Sequence, residues 1–276
     1  MDSGRAGVSI WLERGPNDGV DHGRYFYPTS HCCKKCTVAI RQLENRGATD
    51  RYDEYLRIAE STSLECLSRF CRVIIQLFGA EYLRRPTPTD YQRHLAHHEK
   101  THEFSRMLGS LDCTHWARKN CLVAWQGAYT RGDHGEPTII LEAVASQDLW
   151  ICHAFFGTPG SNNGINVLNA SLLFNVRRER RAPPITYQVS NSYYTSGYYL
   201  IDWPTYMKSP PLPSNKKSMR FKLMQKAARK DIESAFGVLQ AHWAIIKGPT
   251  RLWKKEKLSD IMFTCIILHN MIIQDE

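Results

Sequence analysis

Three acidic residues stand where chemistry can be done. Asp112 closes the apolar run MLGSLD and Asp202 closes GYYLID, so each carboxylate follows a segment that belongs in a core. A buried carboxylate is costly unless it meets a cation or hydrogen-bond donors. If the two runs are neighbouring parallel strands, their terminal carboxylates come within reach of one ion. The third acid, Glu233, lies in RKDIESAFGVLQ, where Ile232, Ala235, Phe236, Leu239 and Trp243 form an apolar stripe at helical spacing and Glu233 flanks it. One turn on, Gly237 costs a helix about 1 kcal/mol relative to Ala, which makes sense if the helix must approach a sheet or a substrate backbone closely. Three carboxylates make an oxygen-rich site suited to Mg²⁺ or Mn²⁺. A pair of such ions supplies the Lewis acidity that phosphodiester cleavage needs. Spacing alone leaves a plainer reading open, with Asp112 a turn or cap residue and Glu233 a solvated helix residue.

The elements that must position these acids follow from the apolar pattern. Met107–Cys113, Thr138–Ser146, Leu149–Gly157 and Tyr198–Asp202 have strand character, and only Gln147-Asp148 separates the middle two, which predicts a hairpin. Asn166–Phe174 reads as a short helix, and about Met219–Ile246 and Leu258–Gln274 as two long ones. Strands followed by helices predict an α/β or α+β sheet domain with helices packed on it. Upstream, residues 31–83 repeat apolar positions every three or four residues, which predicts a small all-helical domain of two or three short helices. A hydroxyl N-cap at Ser61 or Thr62 with Glu65 opens one of them. Such a trihelical unit fits a helix-turn-helix but equally a plain helical cap. Residues 1–30 read as a poorly ordered lead-in, and the polar, Pro-punctuated stretch 84–106 as a linker.

Composition narrows the function classes. The chain of 276 residues carries 36 Lys and Arg against 27 Asp and Glu, a net +9 that points toward a polyanionic partner. No run approaches the roughly 20 apolar residues of a membrane-spanning helix, and the N-terminal residues lack a secretory pattern, so no membrane role is expected. Nine cysteines, an odd count at irregular spacing, suit free thiols in a reducing compartment. Cations cluster beside the acids: Lys216, Lys217, Arg220, Lys222, Lys226, Arg229 and Lys230 lead into the Glu233 helix, and Lys254 and Lys255 follow it. Charge of one sign around an acidic centre is what a phosphate backbone requires, although a solvated helix face with a nuclear-import signal has the same composition.

Several separate motifs, in order, carry a resemblance. MLGSLDCTHWARKNC, GAYTRGDHGEPTIILEAVASQDLWICHAFFGTPGSNN, ARKDIESAFGVLQAHWAIIKGPTRLW and IMFTCIILHNMI, with EYLRIAEST upstream, resemble the plant transposon proteins of the PIF/Harbinger group, which are DDE-type transposases. The resemblance implies an RNase H-like mixed sheet flanked by helices over residues 107–276, preceded by the small helical domain. In that fold the hairpin extends the Asp112 strand antiparallel, and the Asp202 strand returns beside it. It implies Asp112, Asp202 and Glu233 as catalytic, metal-ligating residues, with Mg²⁺ or Mn²⁺ as cofactor. It further implies DNA hydrolysis and strand transfer at transposon ends and target DNA, a Myb-like accessory protein as partner, and a nuclear location; it leaves oligomerisation open. A catalytically inactive descendant that binds DNA or protein is the alternative. Two departures from the family pattern stand out. Asp202 is followed directly by Trp203-Pro204-Thr205-Tyr206, a shortened segment, and Gly164 replaces an Asp usual in relatives.

Two further patterns are weighed and set aside. His98-Glu99-Lys100-Thr101-His102 fits the H-E-x-x-H zinc pattern, but its polar flanks and its place in the expected linker argue against a buried zinc helix. Cys33 and Cys36 form a lone C-x-x-C with no second pair at finger spacing, and read as ordinary thiols.

Overall fold

The computed structural model describes residues 8–9, 30–45, 59–132, 135–171, 173, 187–189, 192–194, 197–201 and 215–275. Its centre is a sheet of strands β1 (Val8–Ser9), β2 (Met107–Ala117), β3 (Thr138–Ala145), β4 (Ile151–Pro159) and β7 (Tyr198–Ile201), in the order β1-β4-β3-β2-β7. The hairpin forms as its spacing predicts, with β3 antiparallel to both β2 and β4, while β7 runs parallel to β2. A second, two-stranded ladder joins β5 (Tyr187–Val189) and β6 (Ser192–Tyr194). The fold is α/β, a mixed RNase H-like sheet flanked by helices, with helices preceding it in the chain.

β3 explains why this sheet must be covered on both sides. Every residue of TIILEAVA is buried, so alternate side chains enter two cores rather than one core and solvent. Ile139, Leu141, Ala143 and Ala145 enter the larger core. It is built with α2 (Glu60–Tyr82), α6 (Lys216–His242) and α8 (Lys255–Asp275), through residues such as Leu67, Cys71, Ile232, Leu239, Phe263 and Ile267. Ile140 and Val144 face the opposite side, where α5 (Gly164–Ala170) closes two smaller clusters, Leu168 with Leu111 and Val144, and Val167 with Ile140 and Phe155. The remaining helices are α1 (Ser30–Asn45), α3 (Pro88–His102), α4 (Val123–Tyr129) and α7 (Ala244–Lys247). Among the described residues, no helix is long and apolar enough to cross a membrane.

Three expectations change. The upstream helices are not set apart from the sheet: Ala39 and Leu43 of α1 and Leu67, Cys71 and Ile74 of α2 share one continuous core with β3, β4 and α8. The N-cap expected at Ser61 or Thr62 falls inside the first turn of α2, a helix of 23 residues whose N-cap is Ala59, without a side-chain cap bond. A continuous amphipathic face against α8 outweighs the local hydroxyl signal. The expected linker 84–106 is mostly α3. Thr87-Pro88-Thr89-Asp90 opens it with a full capping box: the Thr87 hydroxyl accepts from the Asp90 N–H at 3.2 Å and the Asp90 carboxylate accepts from the Thr87 N–H at 2.8 Å, with Pro88 at the first helical position. Arg84 adds a 2.6 Å bond to the same carboxylate, and these donors hold the Asp90 carboxyl at about 2 against its desolvation.

Candidate active site

The strand pairing decides how the acids are delivered. β2 is longer than its apolar run, so Asp112 lies mid-strand, opposite Ala143 of β3, rather than at a strand end. The described part of the parallel partner ends at Ile201, which pairs with Leu111. Asp112 follows Leu111 and Asp202 follows Ile201 in the chain, although Asp202 itself lies outside the described residues, as do Trp203 to Tyr206. Strand alternation then sets which way Asp112 points. Ser110 donates to the Ala228 carbonyl of α6 at 2.6 Å and the Trp116 indole to the Gly248 carbonyl at 2.8 Å. Both even-numbered neighbours therefore lie on the face covered by α6 and the segment after α7, and Asp112 shares that face. Leu111 and Cys113 face the α5 side. Asp112 is half-buried, and its Oδ1 accepts from the Cys113 N–H at 2.7 Å.

α6 runs along β2 past this carboxylate. Its Ala228 is held at Ser110, and Phe236, Leu239 and Gln240 line one crevice with Thr114 and Trp116. Residues 229–235 thus lie between two contacts that bracket Asp112 along the strand. The stripe Ile232, Ala235, Phe236 and Leu239 is buried as the spacing predicts. Glu233 sits further out than the margin expected of it: its side chain is 54% exposed and pairs with Arg229 at 3.3 Å. It shares one flank of α6 with Lys222, Lys226 and Arg229, at intervals of four, three and four residues. Asp231 projects to the opposite flank, about 160° away at 3.6 residues per turn. Among the described residues, nothing beyond the helix's own nearby backbone lies within 4 Å of a Cβ built on Gly237, so the described sheet does not require that glycine.

Asp231 is the acid of α6 with the more perturbed environment. Burial, with the Asp148 carboxylate nearby, pushes its carboxyl up from 3.8 to about 6, and its Oδ2 is enclosed without a hydrogen-bond partner. The folded chain therefore holds a proton there, between about pH 4 and 6, that the unfolded chain has released. Stability from this group falls as pH rises through that window. Asp231→Asn removes the buried charge. It is expected to raise the melting temperature at pH 7.5 and to leave it nearly unchanged at pH 4, as calorimetry at the two pH values would show.

The donors suit a hard divalent cation, since Asp112 and Glu233 offer only carboxylate oxygens. Lys216, Lys217, Arg220, Lys222, Lys226, Lys230 and Lys254 are exposed, Lys255 and Arg229 half-buried, and Arg220 is bonded to Glu103. A cleft of about 380 Å³ lies elsewhere, between the start of α3 and the β3–β4 turn. It is lined by Arg84, Asp90, Arg93, Asp148 and Trp150, and not by Asp112 or Glu233.

With this geometry in hand, a family model described as plant transposon protein matches residues 80–276. The chain belongs to that family. The resemblance to Harbinger-type plant transposon proteins is thereby borne out, and the matched span takes in β2, β7 and α6, the three elements that carry or lead to the acids. The Protein ALP1-like of Arabidopsis thaliana is 24% identical over 253 residues, 88% of this chain and 61% of the relative. This plant transposon protein thus spans somewhat under two thirds of that relative's length. No solved structure matches the chain.

One cluster was undervalued in the sequence. Among the described residues, the only three metal-ligating side chains whose ligand atoms lie within 4.8 Å of one another are His97, His98 and His102 of α3. They include both histidines of the H-E-x-x-H pattern, and the helix that bears them is packed rather than linking. The missed signal was the capping box at Thr87, which marks residues 88 onward as helix.

Proposed function

We propose that this plant transposon protein is a DDE-type endonuclease, in which Asp112, Asp202 and Glu233 hold Mg²⁺ or Mn²⁺ for DNA phosphodiester hydrolysis and strand transfer. The observation that carries the proposal is the parallel register of β7 on β2, which pairs the residues immediately preceding Asp112 and Asp202. The bound ions would supply Lewis acidity to the attacking and leaving oxygens of an in-line displacement. The chain itself supplies the rest. The Cys113 N–H orients the Asp112 carboxylate. The Ser110 hydroxyl and Trp116 indole fix α6 and the segment after α7 against β2. Lys222, Lys226 and Arg229 form a cationic flank leading to Glu233, positioned to follow a phosphate backbone. A nuclear location and recruitment to DNA by a Myb-like protein belong to the same reading.

Gly237 separates this role from mere packing. Its exposed helical position gains about 1 kcal/mol from alanine and meets no clash. Gly237→Ala is therefore expected to raise thermal stability while lowering affinity for a transposon-end duplex several-fold, because DNA approaches the helix there. A variant that is more stable and binds DNA as tightly as the parent would remove Gly237 from the interface.

The second reading is a catalytically silent DNA- or protein-binding descendant. It is favoured by the exposure of Glu233 and its pairing with Arg229, which leaves the third carboxylate engaged with a cation of the chain itself. Nicking of an end duplex under Mg²⁺ or Mn²⁺ decides for the nuclease; tight DNA binding without nicking under either ion decides for the silent form.

A further inference from the structure

The last turn of α3 gathers imidazoles in a way that packing alone does not explain. His94, His98 and His102 recur every four residues along the buried face of the helix, and His97 lies beside them, half-exposed. The rings of His97, His98 and His102 sit 5.5 to 5.9 Å apart, centroid to centroid. His98 is 0% exposed, and both of its ring nitrogens are enclosed without a hydrogen-bond partner. A buried polar atom left unpaired costs about 1–3 kcal/mol, so two on one ring ask for a compensating ligand.

We propose that His97, His98 and His102 bind one Zn²⁺ or similar borderline transition-metal ion, distinct from the carboxylate site. Three nitrogen donors suit Zn²⁺ and do not suit Mg²⁺. Tetrahedral zinc with bonds near 2.0–2.1 Å sets its ligand nitrogens about 3.4 Å apart. The observed span of up to 4.8 Å closes to that with ring shifts of little more than an ångström. The cluster occupies the C-terminal turn of α3, where the helix dipole favours a cation. Half-exposed His97 leaves an approach for the ion and for water as the fourth ligand. Glu99, the acid of the H-E-x-x-H pattern, is exposed and accepts a 2.7 Å bond from the Ser105 hydroxyl. It is not aimed at the cluster as a general base, so the ion is a structural fastener rather than a protease centre. The fastener has a place to act: Glu103, the residue after the cluster, pairs with Arg220 at the start of α6, Phe104 packs edge-on against Phe221, and β2 begins at Met107. It thus stiffens the junction from which both the Asp112 strand and the Glu233 helix are held.

The test uses the whole chain, stripped with chelator and titrated with ZnCl₂, then with CoCl₂ as a visible probe. One equivalent of Zn²⁺ per chain is expected, with a rise in melting temperature, a Co²⁺ visible band of nitrogen-ligated type, and no displacement by millimolar Mg²⁺. His97→Ala, at the half-exposed position where folding is preserved, should weaken Zn²⁺ binding at least tenfold, and His102→Gln likewise. Asp112→Asn and the double variant Cys33→Ser with Cys36→Ser should bind as the parent does. Absence of saturable binding, binding unchanged in both histidine variants, or loss of binding in the cysteine variant would each overturn the assignment.

Discussion

Asp112→Asn is expected to lower metal-dependent nicking of a transposon-end duplex by about 10³-fold, equivalent to about 4 kcal/mol of lost transition-state stabilisation. The substitution is close to isosteric, and an amide oxygen can still accept the Cys113 N–H that now bonds to Oδ1, so the strand and its pairing with Ala143 stay intact. What disappears is a negative charge and a pair of oxygen lone pairs on the face of β2 that α6 covers. DNA affinity should be unchanged or slightly tighter, because one repulsive charge has left the surface proposed to meet the phosphate backbone. That combination separates a ligand from a packing residue, which would lose stability and binding together. Asp112→Cys sharpens the test. A thiolate is a poor ligand for Mg²⁺ and a better one for softer ions, so residual nicking should favour Mn²⁺ over Mg²⁺ more strongly than in the parent. Equal cleavage by parent and Asp112→Asn would sink the carboxylate mechanism, whatever the DNA affinity.

The second large effect concerns stability and a residue with no part in the chemistry. Asn270→Ala is expected to destabilise the fold by about 3–9 kcal/mol, because three backbone groups, two of them buried, lose their partner at about 1–3 kcal/mol each. The Asn270 side chain is fully buried in α8. Its Oδ1 accepts from the Ile151 N–H at 3.0 Å, and its Nδ2 donates to the Ile151 carbonyl at 2.9 Å and the Tyr82 carbonyl at 2.7 Å. One amide thus satisfies both peptide groups of the first residue of β4 and the C-terminus of α2. The neighbouring His269 adds a 2.9 Å contact from Nε2 to the Leu149 carbonyl. Against a typical total stability of about 5–15 kcal/mol, the loss removes a large share, and a fall in melting temperature on the order of 10 °C follows. Asn270→Asp should be at least as damaging, since it replaces two donations by a buried charge. A shift of only a degree or two for Asn270→Ala would show that water replaces the amide and that the three elements are not held by it.

The legibility of this molecule divides by range. Met107–Cys113, Thr138–Ser146, Leu149–Gly157 and Tyr198–Asp202 were readable as strands, because apolar and β-branched residues crowd short runs between turn signals. The hairpin was readable because only two residues part its strands. The stripe on α6 was readable from its period. The parallel return of β7 beside β2 came from family resemblance, since no local pattern states which strands become neighbours. The Thr87–Asp90 capping box was written in the sequence and passed over, because the residues after it are polar and a polar helix looks like a linker until something is known to cover it.

By itself, then, the sequence determined the elements, the acids at the ends of apolar runs, the surplus of positive charge and, through ordered motifs, the family. Those properties depend on neighbours a few residues apart, where propensity and periodicity act. Only the tertiary structure decided that Asp112 faces α6 while Cys113 faces away, that Glu233 and Asp231 take opposite flanks with opposite exposures, and that four histidines of a polar helix are drawn together against a core. It also decided that Asn270 closes β4 and α2. Each of these depends on which surfaces of separate elements meet, and burial is a property of the meeting, not of the residue.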